Sequence, residues 1–270
     1  MIPCINQATV IKADTIRFLG AARRHSFAHV ELDIGKVEEC IERDRLTSLK
    51  EAINDNGLTV VSLNAIENYP MLTEEETARS LERCKEIFNL SNELGCEIVV
   101  VNPSEFTDTT RDVMKARFDA FLLKTAEVAR THSVKLAFEY VSYDNRVVNT
   151  LGSSIKKLGI WGDDIGLVLD LFHLYRSGEG LDVIPESMFN RVWVFHVNDA
   201  PNIPIEKLVD FDRVFPFEGV ANPEKCLSDL RNRGFKGPVS VELFNKQYWD
   251  MDEDQVIEKA RQSLKKLNIA

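Results

Sequence analysis

The sequence predicts an α/β protein, a single (β/α)8 or TIM barrel, and three observations support this. The chain has 270 residues, of which 44% are hydrophobic and 28% charged, enough apolar material for one large core and too much for a disordered chain. Short apolar runs alternate with charge-rich amphipathic segments, the pattern of βαβ units and a parallel sheet. Eight such runs occur, the number that closes into a barrel. We expect one domain over residues 1–270, a common length for this fold.

The eight apolar runs are the predicted strands. They are short and rich in β-branched residues, as buried parallel strands are. In chain order they cover Pro3–Asn6, Ala28–Asp33, Leu58–Asn64, Glu97–Asn102, Lys135–Glu139, Gly166–Asp170, Val192–His196 and Pro238–Leu243.

Amphipathic helices are expected in most of the intervals between these runs. In the clearest interval, Leu81, Cys84 and Phe88 recur at the three- or four-residue spacing of one helix face. The best-defined predicted helices cover Thr73–Leu94, Arg117–His132 and about Glu253–Leu267.

An open, doubly wound sheet is the competing architecture. Such a sheet usually carries a glycine-rich turn after its first strand. Here the first run continues as Asn6-Gln7-Ala8-Thr9, without glycine, and no GxxxxGK[ST] motif occurs. Neither a dinucleotide fingerprint nor a P-loop therefore supports the open sheet.

Composition and charge exclude several classes of partner. The net charge is −10 and no basic groove is evident, so a nucleic-acid partner is not expected. No apolar run approaches the ~20 residues of a membrane-spanning helix, and no signal peptide is evident at the start of the sequence. The five cysteines are odd in number and form no CxxC pair. They predict buried, reduced thiols in a cytoplasmic protein rather than disulfides or a cysteine zinc site.

Four consecutive predicted strands, the fifth to the eighth, end in residues that can bind a metal. Catalytic groups of this fold lie at the C-terminal ends of the strands, and the four residues there are Glu139, Asp170, His196 and Glu242. A single carboxylate at a strand end more often caps a helix or forms a salt bridge in a loop than binds a metal. Three in one barrel mouth would repel each other, and one divalent cation would compensate them. The mixed oxygen and nitrogen set suits Mn²⁺, Zn²⁺ or Co²⁺, and Mg²⁺ less well.

Further polar residues lie near the predicted strand ends. His173 follows Asp170 by three residues in the segment DLFH and either lines the pocket or packs on the next helix. A second group could bind substrate hydroxyls or cap the following helices, and it comprises Asn6, Glu31, Asn64 and Asn102.

Five segments carry a resemblance to a known family: FEY, LVLDLFH, FHVND, DRVFPFEG and VSVELF. Together they resemble the xylose-isomerase-like barrel family of sugar isomerases and epimerases, and the likeness covers nearly the whole chain. The resemblance implies that Glu139, Asp170, His196 and Glu242 are the four metal ligands. It also implies that Glu139 and Glu242 are the acid and base carboxylates, and that His173 and Arg213 bind the substrate.

The chain departs from the family pattern in two places. Relatives commonly have PGxG after the arginine, whereas this chain has Phe217 at the second position, and we expect this phenylalanine to reshape the pocket rim. The family also includes an endonuclease that acts on abasic DNA and uses additional histidines. This chain has Asn64, Asn102 and Val214 at those positions, which disfavours phosphodiester cleavage.

The function implied is isomerisation or epimerisation of an unphosphorylated keto-sugar or keto-cyclitol, such as an inosose. One divalent metal ion would stabilise an enediolate while Glu139 and Glu242 transfer protons. The alternatives are a dehydratase of an inosose-like or 3-dehydroshikimate-like substrate and a non-catalytic sugar-binding barrel. The expected partner is a small-molecule ketone, and analogy with relatives suggests a homo-oligomer.

Overall fold

A closed parallel barrel is the centre of the computed structural model, which describes residues 1–42, 46–67, 69, 71, 73–107 and 109–269. Each described strand pairs in parallel with the next, and the eighth pairs with the first. The strands are β1 (Ile2–Asn6), β2 (His29–Asp33), β3 (Thr59–Ile66), β4 (Ile98–Val101), β5 (Lys135–Glu139), β6 (Ile165–Asp170), β7 (Val192–Val197) and β8 (Pro238–Val241). The predicted (β/α)8 barrel is confirmed, and every strand falls on a predicted apolar run.

Helices surround the barrel. Among the described residues they are α1 (Thr15–Arg24), α2 (Ile34–Glu42), α3 (Leu46–Asp55), α4 (Glu74–Glu93), α5 (Arg111–Thr131), α6 (Leu151–Trp161), α7 (Leu171–Ser177), α8 (Pro223–Asn232), α9 (Lys246–Trp249) and α10 (Glu253–Lys266). None of these helices is both long and apolar enough to cross a membrane. The extent of the domain, 1–270, stays a prediction.

Helix α5 begins earlier than its apolar pattern predicts. The sequence pattern started at Arg117, but the helix begins at Arg111 because Thr110 caps it, its side-chain oxygen accepting from the Val113 N–H. Only Met114 is buried in the first turn, so hydrophobic periodicity is weak there. The other two predicted helices match α4 and α10 to within about one residue at each end.

Two apolar layers make up most of the core of the described residues. The larger lies between the strands and the surrounding helices, and β6 is buried along its whole length. The smaller lies inside the barrel and contains the short side chains of Val100, Ala137, Val168 and Val194, with Trp193 packed against them. All five cysteines are free and four of them are buried. Buried polar side chains lie at the C-terminal end of the barrel, outside these apolar layers.

Gly166 and Trp193 fit each other inside the barrel. A Cβ atom at Gly166 would lie 2.1 Å from the Trp193 ring. We expect Gly166→Ala to lower the free energy of unfolding by about 1–3 kcal/mol, because the ring must shift in a packed interior. Urea unfolding measures the change.

Gly159→Ala is the matched control for this substitution. Gly159 lies in α6, and the nearest atom to a Cβ there would be 3.9 Å away. Its replacement should raise the stability by about 0.5–1 kcal/mol through helix propensity. Equal effects of the two substitutions would contradict the packing argument.

Candidate metal centre

Four side chains converge at the C-terminal end of the barrel. Glu139 ends β5, Asp170 ends β6, His196 lies in β7, and Glu242 follows β8. The strand register brings them together, because Asp170 is paired with His196 and His196 with Ser240, two residues before Glu242. Each of the four offers one ligand atom, and these atoms lie within 4.8 Å of one another. All four side chains are buried.

His196 directs one ring nitrogen at the carboxylates. Its Nδ1 lies 3.1 Å from Glu139 Oε1, 3.1 Å from Glu242 Oε2 and 4.0 Å from Asp170 Oδ2. Burial alone would lower the pKa of His196, but the negative charges of Glu242, Glu31 and Glu139 outweigh it and raise this pKa well above its usual value. The imidazole is thus held by charge as well as by packing.

The two glutamates have different electrostatic surroundings. Burial raises the pKa of Glu139 to about 7, with the charges of Glu242 and Asp170 adding to the effect and His196 opposing it. Burial also acts on Glu242, but the charge and hydrogen bond of His196 and the charge of Arg213 bring its pKa below the usual value. The surroundings differ in that Glu242 has both His196 and Arg213 as cationic partners, whereas Glu139 faces the charges of Glu242 and Asp170.

Arg213 is a buried cation beside the cluster. Its Nη1 donates to Glu242 Oε2 at 2.6 Å and lies 3.1 Å from Asp170 Oδ2. The guanidinium carbon lies 5.3 Å from the Phe172 ring centre and 4.9 Å from that of Phe244, so aromatic faces fix its plane. Arg213 therefore compensates two carboxylates with a charge that it cannot lose.

His173 is neutral and held in one tautomer. Arg213 Nη2 lies 3.2 Å from His173 Nε2, and because a guanidinium only donates, Nε2 accepts. Nδ1 then carries the proton and donates to Ser142 Oγ at 3.1 Å. Burial, with the charge of Arg213 adding to it, lowers the pKa of His173 to about 3. Its placement in the cavity wall agrees with the pocket alternative considered from the sequence.

A cavity of about 420 Å³ opens above the cluster, a size suited to a small ligand. Its lining includes Glu139, Glu242, His173, Arg213 and the three predicted asparagines, Asn6, Asn64 and Asn102. Sequence reasoning did not single out other lining residues, namely Asp33, Glu67, Tyr143, Arg146, Asp210 and Phe211. Most of these belong to loops, where neither periodicity nor spacing indicates direction.

The three asparagines have different partners. Asn6 Nδ2 donates to Glu242 Oε1 at 3.0 Å, and its Oδ1 accepts from the Ala8 N–H at 2.9 Å. Asn64 Nδ2 donates to Ser62 Oγ at 2.8 Å and to Glu31 Oε2 at 3.3 Å. Asn102 Oδ1 is buried without a hydrogen-bond partner in the described part of the chain. It therefore has an acceptor free for a ligand in the cavity.

Two residues considered from the sequence lie elsewhere than expected. Glu31 is fully buried beneath the cluster, with an oxygen 3.1 Å from His196 Nε2, rather than at a helix end. The sequence feature that could have indicated this buried position is a charged residue in the middle of an apolar run. Phe217 is 40% exposed and is not among the described residues that line the cavity, so its expected effect on the pocket rim stays a prediction.

Comparison with known proteins identifies the family. A family model described as xylose isomerase-like TIM barrel matches residues 19–267. The chain belongs to this family. Within the xylose isomerase-like barrels, it is 27% identical over 265 residues to the inosose isomerase of Halalkalibacterium halodurans, covering 96% of this chain and 93% of that protein. It is 25% identical over 194 residues to a 3-dehydroshikimate dehydratase of Pseudomonas aeruginosa, covering 71% of this chain and 30% of that protein.

A solved structure shows the same fold. The crystal structure of the IOLI protein with a binding zinc atom superposes with a TM-score of 0.91 and 25% identity, covering 99% of this chain and 98% of that one. The donor set of the present chain fits an ion of this kind. Three carboxylates and one imidazole are within 4.8 Å of one another, and this mixed set suits Zn²⁺, Mn²⁺ or Co²⁺.

Arg213 should be essential to the stability of the metal-free protein. We expect Arg213→Met to lower the free energy of unfolding by about 3–5 kcal/mol, because Glu242 and Asp170 would lose a buried counter-charge. Urea unfolding in the presence of a chelator measures this without a bound ion.

The control for Arg213→Met is Arg130→Met. Arg130 pairs with Asp164 on the surface, where the two side chains are 61% and 60% exposed, so the expected loss is below about 1 kcal/mol. Similar losses in both variants would show that burial of the Arg213 pair does not matter.

Proposed function

We propose that this protein is a divalent-metal-dependent isomerase or epimerase of a neutral keto-cyclitol or keto-sugar of the inosose type. The observation that carries the proposal is the buried cluster of Glu139, Asp170, His196 and Glu242 at the base of the cavity. The relationship to inosose isomerase over 96% of the chain supports the substrate class.

The four clustered residues are the proposed metal ligands. Each has its ligand atom directed at the same small volume, and the three carboxylates supply the negative charge that a divalent cation requires. A divalent ion bound there would polarise the substrate carbonyl and make the neighbouring C–H bond more acidic. The metal-dependence, and the choice among Mn²⁺, Zn²⁺ and Co²⁺, belong to this proposal.

Glu139 and Glu242 are the proposed proton-transfer residues. Both line the cavity, and their ligand atoms lie within 4.8 Å of each other, close enough to reach adjacent carbons of one substrate. A carboxylate on one side takes the proton next to the carbonyl, and a second, protonated carboxyl group donates its own proton to the product. Asp170 is less suited to this role, because it accepts from the His173 N–H and the Asn198 amide.

Charge in the cavity favours a neutral substrate. Besides the two glutamates, the lining includes the carboxylates of Asp33, Glu67 and Asp210. The two lining arginines are already paired, Arg146 with Glu105 at 3.1 Å and Arg213 with Glu242 at 2.6 Å. These ion pairs reduce the positive charge available to a phosphate or carboxylate group, whereas hydroxyl groups can bond to His173, Arg213 and the asparagines Asn6, Asn64 and Asn102.

Metal content tests the proposed centre. Protein purified without chelator should carry about one divalent ion per chain, because the ligand set is complete within one chain. The variants Glu242→Gln and His196→Ala should lose it, as measured by elemental mass spectrometry. Glu67→Gln is the control, since Glu67 lines the same cavity outside the cluster. Wild-type protein that takes up none of Mn²⁺, Co²⁺ or Zn²⁺ would refute the centre.

Solvent exchange tests the chemistry. In deuterium oxide, wild-type enzyme should introduce deuterium next to the carbonyl of an inosose. Glu139→Gln and Glu242→Gln should slow this by about 10²–10⁴-fold, because each removes a proton-transfer group. Undiminished exchange in both variants would contradict the two-carboxylate scheme. The product mass decides between isomerase and dehydratase, because a dehydratase product lacks one water molecule.

A further inference from the structure

Glu31 is a fully buried carboxylate that the proposed reaction does not use. It lies in the middle of β2, between Val30 and Leu32, which pack in the outer apolar core. Because side chains alternate along a strand, Glu31 faces the barrel interior. Its relative exposure is 0%, and a buried carboxylate is costly unless its oxygens receive hydrogen bonds or a counter-charge.

The two oxygens of Glu31 are surrounded by donors. Ser62 Oγ donates to Oε2 at 2.5 Å, and Asn64 Nδ2 donates to the same oxygen at 3.3 Å. Asn6 Nδ2 lies 3.5 Å from Oε1. His196 Nε2 lies 3.1 Å from Oε1 and 3.3 Å from Oε2. The imidazole is therefore the one ionisable partner in hydrogen-bonding range among these donors.

This contact places a proton on one nitrogen of His196. An ionised carboxylate accepts hydrogen bonds and cannot donate, so the Nε2 atom next to Glu31 carries a proton. A divalent ion would therefore replace the proton on the other ring nitrogen and bind its lone pair. That nitrogen is Nδ1, which lies 3.1 Å from both Glu139 Oε1 and Glu242 Oε2.

We propose that Glu31 is a positioning residue of the metal centre, holding His196 as the Nε2–H tautomer with Nδ1 directed at the ion. The inference rests on the metal-dependent function proposed above. A carboxylate behind a ligating histidine orients the ring and increases its basicity. Asn6 extends the arrangement, because the amide group near Glu31 also donates to Glu242 Oε1 at 3.0 Å. Glu31 thus acts on one ligand directly and on another through Asn6.

The test combines a direct observation with a substitution. In the full-length protein loaded with Zn²⁺ and labelled with ¹⁵N-histidine, nuclear magnetic resonance should show the His196 proton on Nε2 and the metal on Nδ1. In Glu31→Gln, the affinity for Zn²⁺, measured by competition with a chelator, should fall by about 10–100-fold. A glutamine can accept from or donate to Nε2, so the tautomer is no longer determined.

Ser62→Ala is the control for Glu31→Gln. It removes a hydrogen bond to Glu31 but leaves the contact between Glu31 and His196, so the Zn²⁺ affinity should change by less than about threefold. A proton on Nδ1 of the loaded wild-type protein would overturn the proposal without any variant, even if Glu31→Gln did not fold. Wild-type affinity in folded Glu31→Gln would overturn it too.

The same measurements separate the two proposals. If wild-type protein binds Zn²⁺ and Glu31→Gln binds it equally well, the metal centre stands and only the role of Glu31 falls. If wild-type protein binds no divalent ion, the proposed function fails, and the role of Glu31 fails with it.

Discussion

Compensation of buried negative charge is the constraint on which the site depends. Glu31, Glu139, Asp170 and Glu242 all lie within the C-terminal end of the barrel with almost no exposure to solvent. Two buried groups, Arg213 and the imidazole of His196, oppose them. Each of these two contacts more than one carboxylate, so removing either would reduce the compensating charge at several carboxylates at once. This need for compensation explains why so many polar groups around the site form hydrogen bonds or ion pairs with one another.

The barrel makes this concentration of charge geometrically simple. Parallel strands end at the same side, so residues far apart in the chain meet there without long loops. Register supplies the finer placement, since Asp170 lies directly beside His196 on the next strand. Arg213 is different, because it comes from the loop after β7 and is fixed by the rings of Phe172 and Phe244. Strands thus position the ligand atoms, and a loop supplies the counter-charge.

Much of this could be predicted from the sequence because it follows from local pattern. Apolar runs indicated all eight strands, and the polar residue at the end of four of them indicated which side chains would meet. The amphipathic pattern missed the start of α5, where a mostly exposed first turn is stabilised by the Thr110 cap. Patterns also could not show what the asparagines bond to. Asn6 and Asn64 both donate to Glu31, which is 25 residues from the first and 33 from the second.

Loop residues of the cavity were the least predictable. Asp210 and Phe211 line the cavity, yet they lie in a segment of short 3-10 turns where no periodicity applies. Their positions depend on long-range contacts, such as the hydrogen bond from Arg213 to Asp210 at 3.1 Å. The family resemblance identified Arg213, but not the residues that its side chain organises.

The tryptophan ring that packs against Gly166 and the inner apolar layer has a consequence for how such a protein can diversify. The packing around Trp193 contributes to stability. It is separate from the polar end of the barrel, where Glu139 and Glu242 line the cavity. Mutations in the loops around the cavity can then alter ligand preference without disturbing that packing. Gly166 and Trp193, by contrast, constrain each other closely, so an enlargement at one position would be tolerated only after a reduction at the other. The two ends of one barrel are therefore open to different rates of evolutionary change.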